Sequence, residues 1–472
     1  MKPSKYILIG LGLLSLVILF WWNLSNPVRD LSESIPGADK QNEGEVAKAL
    51  IKIGEFFELF ERSKTNLYED WPCFRGAERD NIYRSNIPLI NKFSEDTTDL
   101  LWKVELGEGH GGAAIYNGLV YILDYHEEQR ADMLRCFDLI SGTELWRRWY
   151  KVGIKRNHGI SRTVPALTED YILTIGPRCH AMCVDRESGD FLWGIDIARE
   201  YESEIPLWYT GQCPLIDNNK AIIATGGKAL MVAVDCKSGK VLWETPNTEG
   251  WKMSHSSVVP FTFKGKKMYV YAAVGGICGI SAEGKDVGEI LWETSDWDHA
   301  VVAPSAVCMN DGKIYLTAGY GAGAMVLQLS ESNGIYTTSI LQEYKPSEGL
   351  ACEQQTPILY KGHLFGIMPK DGGMLRNRFV CVDPNNCKEI IWASDKSTRF
   401  GLGPYIFADD KFYILKDDGT LFIAEADLNG YKQLSAKQYL KGHDAWAPLA
   451  IADGYMVLRD SKTMICINLN TQ

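Results

Sequence analysis

The sequence predicts an all-β protein in which residues 100–472 form an eight-bladed β-propeller. Two periodic signals support this prediction: a nine-residue motif that ends in Leu-Trp, and a proline that returns once per repeat. A third signal is a pair of unmatched strand sequences at the two ends of the repeat region, residues 99–102 and 464–469. Self-similarity with a period of tens of residues is typical of repeat architectures such as propellers.

The nine-residue motif is D-x-x-S-G-x-x-L-W, and three copies align without gaps, at residues 138–146, 185–193 and 235–243. It predicts a hairpin in which one strand ends at the Asp and the next ends at the Leu-Trp pair. Ser-Gly forms the tight turn between them, because glycine tolerates a positive φ. Weaker copies end at three further tryptophans. We expect all six to be structural, each packed against the neighbouring blade: Trp102, Trp146, Trp193, Trp243, Trp292 and Trp392.

The proline series runs in step with the motif, and each proline precedes a short strand, a turn and a second strand. Gly111 occupies the matching position upstream without a proline, so the series defines eight units. Eight repeats of roughly 47 residues account for nearly all of residues 100–472. Two units lack the tryptophan but keep the proline and the strand pair. The prolines are Pro165, Pro214, Pro260, Pro304, Pro357, Pro404 and Pro448.

The two ends of the repeat region predict how the ring closes. Residues 99–102 have the pattern of an outer strand without its inner partner, and residues 464–469 that of an inner strand without its outer partner. Pairing them puts both ends in one blade and leaves no open sheet edge.

The residues before the propeller divide into five predicted segments. Residues 1–5 carry two lysines, and residues 6–22 run without a charge over a length near the minimum for crossing a bilayer. We therefore expect a membrane anchor with a cytoplasmic N-terminus and the bulk exported to the periplasm or the cell exterior; a cleaved signal peptide is the alternative. Residues 23–43 predict a linker, residues 44–63 an amphipathic helix from their apolar spacing, and residues 64–99 a lead-in segment.

Charge and cysteine content exclude some classes of function. The formal net charge is −11 and no basic tract occurs, which argues against nucleic-acid binding, because that binding needs Lys and Arg to neutralise phosphates. Several of the 12 cysteines stand at strand positions that suit a small apolar side chain, so we expect buried free thiols. Cys179 with Cys183 and Cys381 with Cys387 are close enough in sequence to pair. The cysteine spacing does not predict a structural zinc site.

The nine-residue motif resembles the tryptophan-docking repeat of the PQQ-like propellers. This superfamily includes quinoprotein alcohol dehydrogenases and the outer-membrane assembly propeller BamB. Residues 71–76, Trp-Pro-Cys-Phe-Arg-Gly, resemble the W-P-x-F-R-G segment of a bacterial subset of these propellers. The resemblance spans residues 71–472 and implies the fold, but one fold hosts many activities.

The same resemblance allows a test for quinoprotein chemistry. Quinoprotein dehydrogenases carry adjacent cysteines near pyrroloquinoline quinone, with carboxylates and an Asn around calcium, and no Cys-Cys pair occurs in this sequence. Their enzymatic residues therefore do not carry over. We expect neither a catalytic residue nor a bound quinone and calcium.

Candidate functional residues lie in the loops just before the prolines, which in propellers surround the mouth of the axial funnel. Residues at equivalent offsets in a ring of blades converge on the axis. The set predicted to face a common cavity is His110, His158, Tyr209, His255, His299, Glu353, Arg399 and His443. Such residues could bind a metal or act as acid and base, hold a polar or acidic ligand by hydrogen bonds, or simply satisfy loop backbone groups.

Three functional hypotheses follow. The leading one is a membrane-anchored, exported propeller that binds a partner protein or a small polar ligand without catalysing a reaction. The first alternative is a divergent quinoprotein oxidoreductase that uses pyrroloquinoline quinone and calcium. The second is a glycan- or peptide-binding module, suggested by the tryptophans near the funnel, which are Trp208, Trp251, Trp297 and Trp446.

Overall fold

A computed structural model describes residues 4–24, 50–61, 65 and 67–471, and the chain divides into two units, Met1–Leu50 and Ile51–Gln472. The first unit begins with helix α1 (Ser4–Leu24). In the part of the chain that is described, no helix combines the length and apolar character needed to cross a membrane. The anchor at residues 6–22 therefore stays a prediction, and most of the predicted linker lies outside the described residues.

The second unit consists of eight separate sheets arranged as the blades of a propeller. Three short strands precede the first repeat and join blades formed elsewhere in the chain. They are β1 (Phe56–Leu59), β2 (Ile82–Tyr83) and β3 (Leu100–Glu105).

Blades 1 to 4 each contain four consecutive strands. Blade 1 has β4 (Ala114–Tyr116), β5 (Leu119–His126), β6 (Ala131–Asp138) and β7 (Glu144–Lys151). Blade 2 has β8 (Ala166–Leu167), β9 (Tyr171–Ile175), β10 (His180–Asp185) and β11 (Phe191–Asp196), followed by the short helix α2 (Ile197–Glu200). Blade 3 has β12 (Leu215–Asp217), β13 (Lys220–Ala224), β14 (Ala229–Asp235) and β15 (Val241–Pro246). Blade 4 has β16 (Val259–Phe263), β17 (Lys266–Ala272), β18 (Ile277–Ser281) and β19 (Ile290–Thr294).

Blades 5 to 8 repeat this arrangement, and blade 8 lacks only its outer strand. Blade 5 has β20 (Val307–Cys308), β21 (Lys313–Ala318), β22 (Gly323–Ser332) and β23 (Ile335–Tyr344). Blade 6 has β24 (Ile358–Tyr360), β25 (His363–Ile367), β26 (Phe379–Val382) and β27 (Ile390–Ala393), with a 3₁₀ turn at Gly373–Leu375. Blade 7 has β28 (Tyr405–Ala408), β29 (Lys411–Leu415), β30 (Thr420–Asp427) and β31 (Gly430–Gln438). Blade 8 has β32 (Ala450–Ala452), β33 (Tyr455–Arg459) and β34 (Thr463–Asn468).

The predicted closure of the ring is confirmed. Strand β3 pairs antiparallel with β34 and places Trp102 opposite Cys466, so residues from both ends of the repeat region complete blade 8. Strand β2 pairs in parallel with β28 as a fifth strand of blade 7. The prediction of eight blades is therefore correct in both number and connection.

The prediction of an amphipathic helix over residues 44–63 is wrong for residues 50–61, the continuous part of this segment that the structure describes. Residues 50–61 contain strand β1, which pairs antiparallel with β7 as a fifth strand of blade 1. Phe56 stacks on Trp149 with ring centroids 5.5 Å apart, and the guanidinium of Arg148 lies 4.8 Å from the ring of Phe57. Cross-strand aromatic pairs stabilise this arrangement, whereas a short isolated helix is marginal in water.

The nine-residue motif explains the contact between neighbouring blades. In blade 1 the Asp138 carboxylate accepts a hydrogen bond from the backbone N–H of Ser141 at 2.8 Å, which fixes the turn. Gly142 follows with a φ of +70°, and a Cβ there would lie only 2.5 Å from the Trp102 ring of blade 8. The Trp102 Nε1 donates to the carbonyl of Leu139 at 2.8 Å. Each motif therefore supplies both a tryptophan and the glycine on which the preceding blade's tryptophan docks.

The cysteines behave as small apolar residues. All 12 are unpaired, and all but Cys308 are buried, many of them within the hydrophobic clusters between blades. The expectation of buried free thiols is confirmed, and the two close cysteine pairs considered from the sequence are not bonded. Packing rather than cross-linking is what these side chains contribute.

Residues 71–76 of the lead-in segment cross the ring on its inner side. Trp71 forms a bridge with Ile115 of β4, and Arg75 donates from Nη2 to the carbonyl of Pro357 in blade 6 at 3.0 Å. Gly76 has a φ of +80°, and the ring of Trp71 packs where a Cβ would stand. This segment thus connects blade 1 with blade 6.

Candidate ligand-binding site

A cavity of about 130 Å³ lies where the loops before the prolines meet. At about 30 Å³ for each water molecule it has room for about four, which suits a small ligand. Phe74 of the lead-in segment lines it together with loop residues of seven blades, all but blade 7. Besides Phe74, the polar and aromatic residues of its lining are His110, Arg162, Trp208, His255, Ser257, Tyr320, Glu353, Gln354, Gln355 and Trp446.

His110 lines this cavity and carries an unpaired acceptor atom. Its Nε2 lies 2.9 Å from the carbonyl oxygen of His158, and a carbonyl can only accept, so Nε2 carries the ring proton. Burial, and then the charges of Arg162 and Arg459, lower the pKa of His110 to about 4. The ring is therefore neutral at physiological pH, and its buried Nδ1 has no hydrogen-bond partner in the protein.

Trp446 and Glu353 add two further unpaired groups. The Trp446 ring packs on that of His110 with centroids 4.9 Å apart, and its buried Nε1–H has no acceptor. The Glu353 side chain is buried, with Oε1 at 3.3 Å from Nζ of Lys370 and Oε2 without a partner. Buried polar atoms are nearly always hydrogen-bonded, so three unpaired polar atoms on residues that line one cavity make this cavity the candidate binding site.

Arg162 organises the opposite wall. It donates from Nε to the carbonyl of Trp208 at 2.6 Å and from Nη2 to the carbonyl of His158 at 2.6 Å, which ties the loops of blades 2 and 3 together. Burial lowers the pKa of Arg162 to about 10, so it stays charged at neutral pH. Burial, with the charge of Arg162, lowers the pKa of His255 to about 4.

Trp208 and Tyr320 form a stacked aromatic pair at the cavity. Their ring centroids are 5.6 Å apart with an angle of 24° between the planes. Both backbones are left-handed, with φ of +64° and +58°, which is unfavourable for bulky side chains. Strain of this kind persists where the surrounding structure imposes it and gathers at functional sites.

Five of the eight predicted site residues lie outside the cavity. His158 is exposed and contributes only its carbonyl, while the Tyr209 hydroxyl donates to a backbone carbonyl of the blade 2 loop. His299 packs against a buried tryptophan, Arg399 donates to another loop carbonyl, and the exposed His443 pairs with its neighbour Asp444. The expectation that all eight face one cavity is therefore corrected. Only His110, His255 and Glu353 line it.

Three residues at the cavity are absent from the set predicted from the sequence: Arg162, Tyr320 and Lys370. Arg162 stands three residues before Pro165, so its loop position was the available signal. Tyr320 lies in the Gly-rich turn between β21 and β22. Lys370, whose Nζ lies 4.9 Å from the centre of the Tyr320 ring, belongs to the loop after β25. Both residues lie in loops between strands of one blade, not in the loops before the prolines. An offset from a proline therefore could not predict them.

The residues of the cavity do not fit a calcium ion. Calcium takes six to eight oxygen ligands, whereas Glu353 is the one carboxylate among the described residues of the lining and is already paired with Lys370. Across the described residues, no three His, Cys, Asp or Glu side chains are grouped to hold a metal. Adjacent bonded cysteines, as in quinoprotein dehydrogenases, are also missing from the sequence.

The fold and the docking motif define the chain as a PQQ-like β-propeller. Residues 130–394 match the family described as outer membrane protein assembly factor BamB, which is more than half of the chain, and the chain belongs to this family. No curated protein sequence is similar enough to the chain to count as a relative.

Solved structures share the fold at low sequence identity. A europium-containing methanol dehydrogenase superposes with a TM-score of 0.58 at 11% identity, over 83% of this chain and 89% of that one. The computationally designed Ika8 protein superposes with a TM-score of 0.52 at 12% identity, over 78% of this chain and 99% of that one. At such identities the likeness concerns the fold alone.

Proposed function

We propose that this propeller is a non-catalytic binding scaffold whose axial cavity holds a small polar ligand. As part of the same proposal, residues 6–22 anchor the chain in a membrane and the propeller is exported. The observation that carries the proposal is the set of three buried, unpaired polar atoms around one cavity, His110 Nδ1, Glu353 Oε2 and Trp446 Nε1.

Leaving these three atoms unpaired lowers the stability of the folded protein. A buried donor or acceptor without a partner costs about 1–3 kcal/mol, so three of them are a large burden for a fold of marginal stability. A ligand that pairs with them recovers that free energy on binding. Proteins commonly give up stability at a site that function requires.

The alternative is a quinoprotein oxidoreductase, for which the fold likeness to a methanol dehydrogenase is the supporting observation. The donor set of the cavity argues against calcium, as described above. The aromatic pair and the cationic Arg162 are compatible with a flat, anionic group. One experiment therefore tests the binding scaffold and the quinoprotein oxidoreductase together.

The experiment measures thermal unfolding of the full chain in a detergent without a sugar head group, such as lauryldimethylamine oxide. Four probes are added separately: D-glucuronate, indole-3-acetate, choline, and pyrroloquinoline quinone with calcium chloride. We expect at least one of the first two probes to raise the unfolding midpoint, because a ligand that binds only the folded state stabilises it. His110→Ala should abolish this shift.

His443→Ala is the matched control, since His443 occupies a similar loop but is exposed outside the cavity. It should keep the shift seen with the unmodified chain. A shift that survives in His110→Ala, or no shift with any probe, contradicts the proposal. Stabilisation by the quinone with calcium, together with reduction of an electron-accepting dye, would establish the oxidoreductase instead.

A further inference from the structure

The hydrogen-bonding atoms of the axial cavity specify more about the ligand than its polarity. His110 Nδ1 and Glu353 Oε2 are acceptors, whereas Trp446 Nε1 is a donor. The rings of His110 and Trp446 pack with their centroids 4.9 Å apart and an angle of 31° between their planes, so an acceptor and a donor belong to neighbouring rings. A ligand must therefore both donate and accept at neighbouring positions, which hydroxyl groups do.

The charge of the cavity limits the ligand further. In the described part of the chain, Arg162 is the one cation and Glu353 the one carboxylate of the lining, and Glu353 is paired with Lys370 outside it. The charge of Arg162 is therefore left without a carboxylate partner. This excess of positive charge disfavours a cationic ligand and accommodates a neutral or singly anionic one.

The aromatic side chains supply the remaining surface. Trp208 and Tyr320 present a stacked pair from blades 3 and 5, Trp446 belongs to the loop before blade 8, and Phe74 belongs to the lead-in segment. Aromatic rings offer an apolar face with a polar edge, which suits a compact ring that has C–H groups on its faces and hydroxyls on its rim. Their left-handed backbones show that the fold holds Trp208 and Tyr320 in place at a cost.

We infer that the ligand of the axial cavity is a single sugar ring, either neutral or carrying one carboxylate. This inference rests on the proposed binding function and deepens it. In this arrangement, sugar hydroxyls donate to His110 Nδ1 and Glu353 Oε2 and one accepts from Trp446 Nε1. The Arg162 guanidinium accommodates a carboxylate where the sugar has one, and the tryptophans pack on the ring faces.

The test is a comparison of ligand classes on the full chain in lauryldimethylamine oxide. The probes are D-glucose, D-galactose, D-mannose and their uronic acids, with indole-3-acetate as the aromatic acid that lacks hydroxyls. We expect one of the sugars to raise the unfolding midpoint by about 2 °C at a tenfold excess over its Kd. Glu353→Gln and Trp446→Phe should each weaken this binding at least fivefold. The first replaces one acceptor oxygen by an NH₂ donor at the same shape, and the second removes the indole N–H donor together with part of the ring.

A general stabilising effect of sugars as cosolutes must be separated from binding. His443→Ala controls for it, because a cosolute would stabilise that variant, Glu353→Gln and the unmodified chain alike. If indole-3-acetate alone binds and Glu353→Gln or Trp446→Phe weakens its binding, the sugar assignment is overturned and the proposed binding function stands. If neither sugars nor indole-3-acetate bind, both are overturned.

Discussion

A matched pair of tryptophan substitutions tests whether the cavity is a site held open for a ligand. Trp102 and Trp446 both belong to the propeller, and replacement by phenylalanine removes the indole N–H of each. Trp102 Nε1 donates to the carbonyl of Leu139 at 2.8 Å, whereas Trp446 Nε1 is buried without an acceptor. The two substitutions should therefore change the free energy of unfolding in opposite directions, or at least by clearly different amounts.

The magnitude follows from these contacts. Trp102→Phe leaves the Leu139 carbonyl buried without its donor, at about 1–3 kcal/mol, and the lost ring volume adds about 1–2 kcal/mol. Trp446→Phe loses a similar volume but removes an unsatisfied N–H, whose burial costs about 1–3 kcal/mol. We expect the first variant to be destabilised by about 3 kcal/mol and the second to change by less than about 1 kcal/mol.

The assay is thermal unfolding of the ligand-free full chain in lauryldimethylamine oxide, followed by circular dichroism. Because large propellers do not always unfold in two states, the comparison uses midpoints. The midpoint of Trp102→Phe should fall by roughly 5 °C, while that of Trp446→Phe stays within about 2 °C of the unmodified chain or rises. An equal fall in both variants would refute the reasoning, because it would show that Trp446 Nε1 has a structural partner.

Two further predictions concern the blade contact and the pH dependence of stability. Gly142→Ala should lower the unfolding midpoint much more than Gly250→Ala. The two glycines have φ of +70° and +66°, but only a Cβ at residue 142 would collide with the docked tryptophan, and equal effects would contradict the docking account. Burial raises the pKa of Asp132 to about 7, against the opposing hydrogen bond from the Tyr150 hydroxyl. A carboxyl whose pKa is raised on folding contributes stability below its unfolded pKa and loses it as the pH rises through the folded value. We therefore compare the unfolding free energy of the unmodified chain with that of Asp132→Asn, measured by denaturant titration. The difference between the two should fall as the pH rises from about 4 to about 7. A difference that does not change with pH would contradict this prediction.

The parts of the fold that could be predicted from the sequence are those determined by local geometry. Asp138, Ser141 and Gly142 form a turn within a few residues, and the same spacing recurs in each copy of the motif. The tryptophan positions follow from that register, because each one is the third residue of the strand after such a turn. The prediction that this strand ends at the Leu-Trp pair is wrong, since the strand continues beyond the tryptophan. The closure of the ring could be predicted as well, since two half-blades leave only one way to pair all strands.

The error over residues 44–63 has a non-local cause. The apolar positions near Phe56 and Phe57 match a helical period, although Gly54 in the middle of the segment disfavours a helix. The competing partner is β7, which lies about 90 residues later and offers Trp149 and Arg148 on the outer side of blade 1. Only the folded ring brings that strand within reach.

The site could be predicted only in part, because a common loop position does not fix the direction of a side chain. His255 and His299 both stand five residues before a proline. His255 is positioned by its backbone N–H, which donates to the carbonyl of Val302 at 3.0 Å, and it reaches the cavity. His299 instead packs edge-on against Trp297 at 4.3 Å. Histidines at the same loop position in two blades therefore have different surroundings: one lines the cavity and the other packs against a tryptophan.

The W-P-x-F-R-G segment connects the fold with the site. An open ring of eight blades encloses an axial channel, and a channel open at both ends holds a small ligand poorly. Arg75 is buried and bonded to the carbonyl of Pro357, while Trp71 is fixed to blade 1, so the intervening Phe74 is held against the cavity. The segment that signals the family in the sequence therefore also provides a wall of the cavity. We expect a ligand to enter from the side of the loops that carry His110 and Glu353.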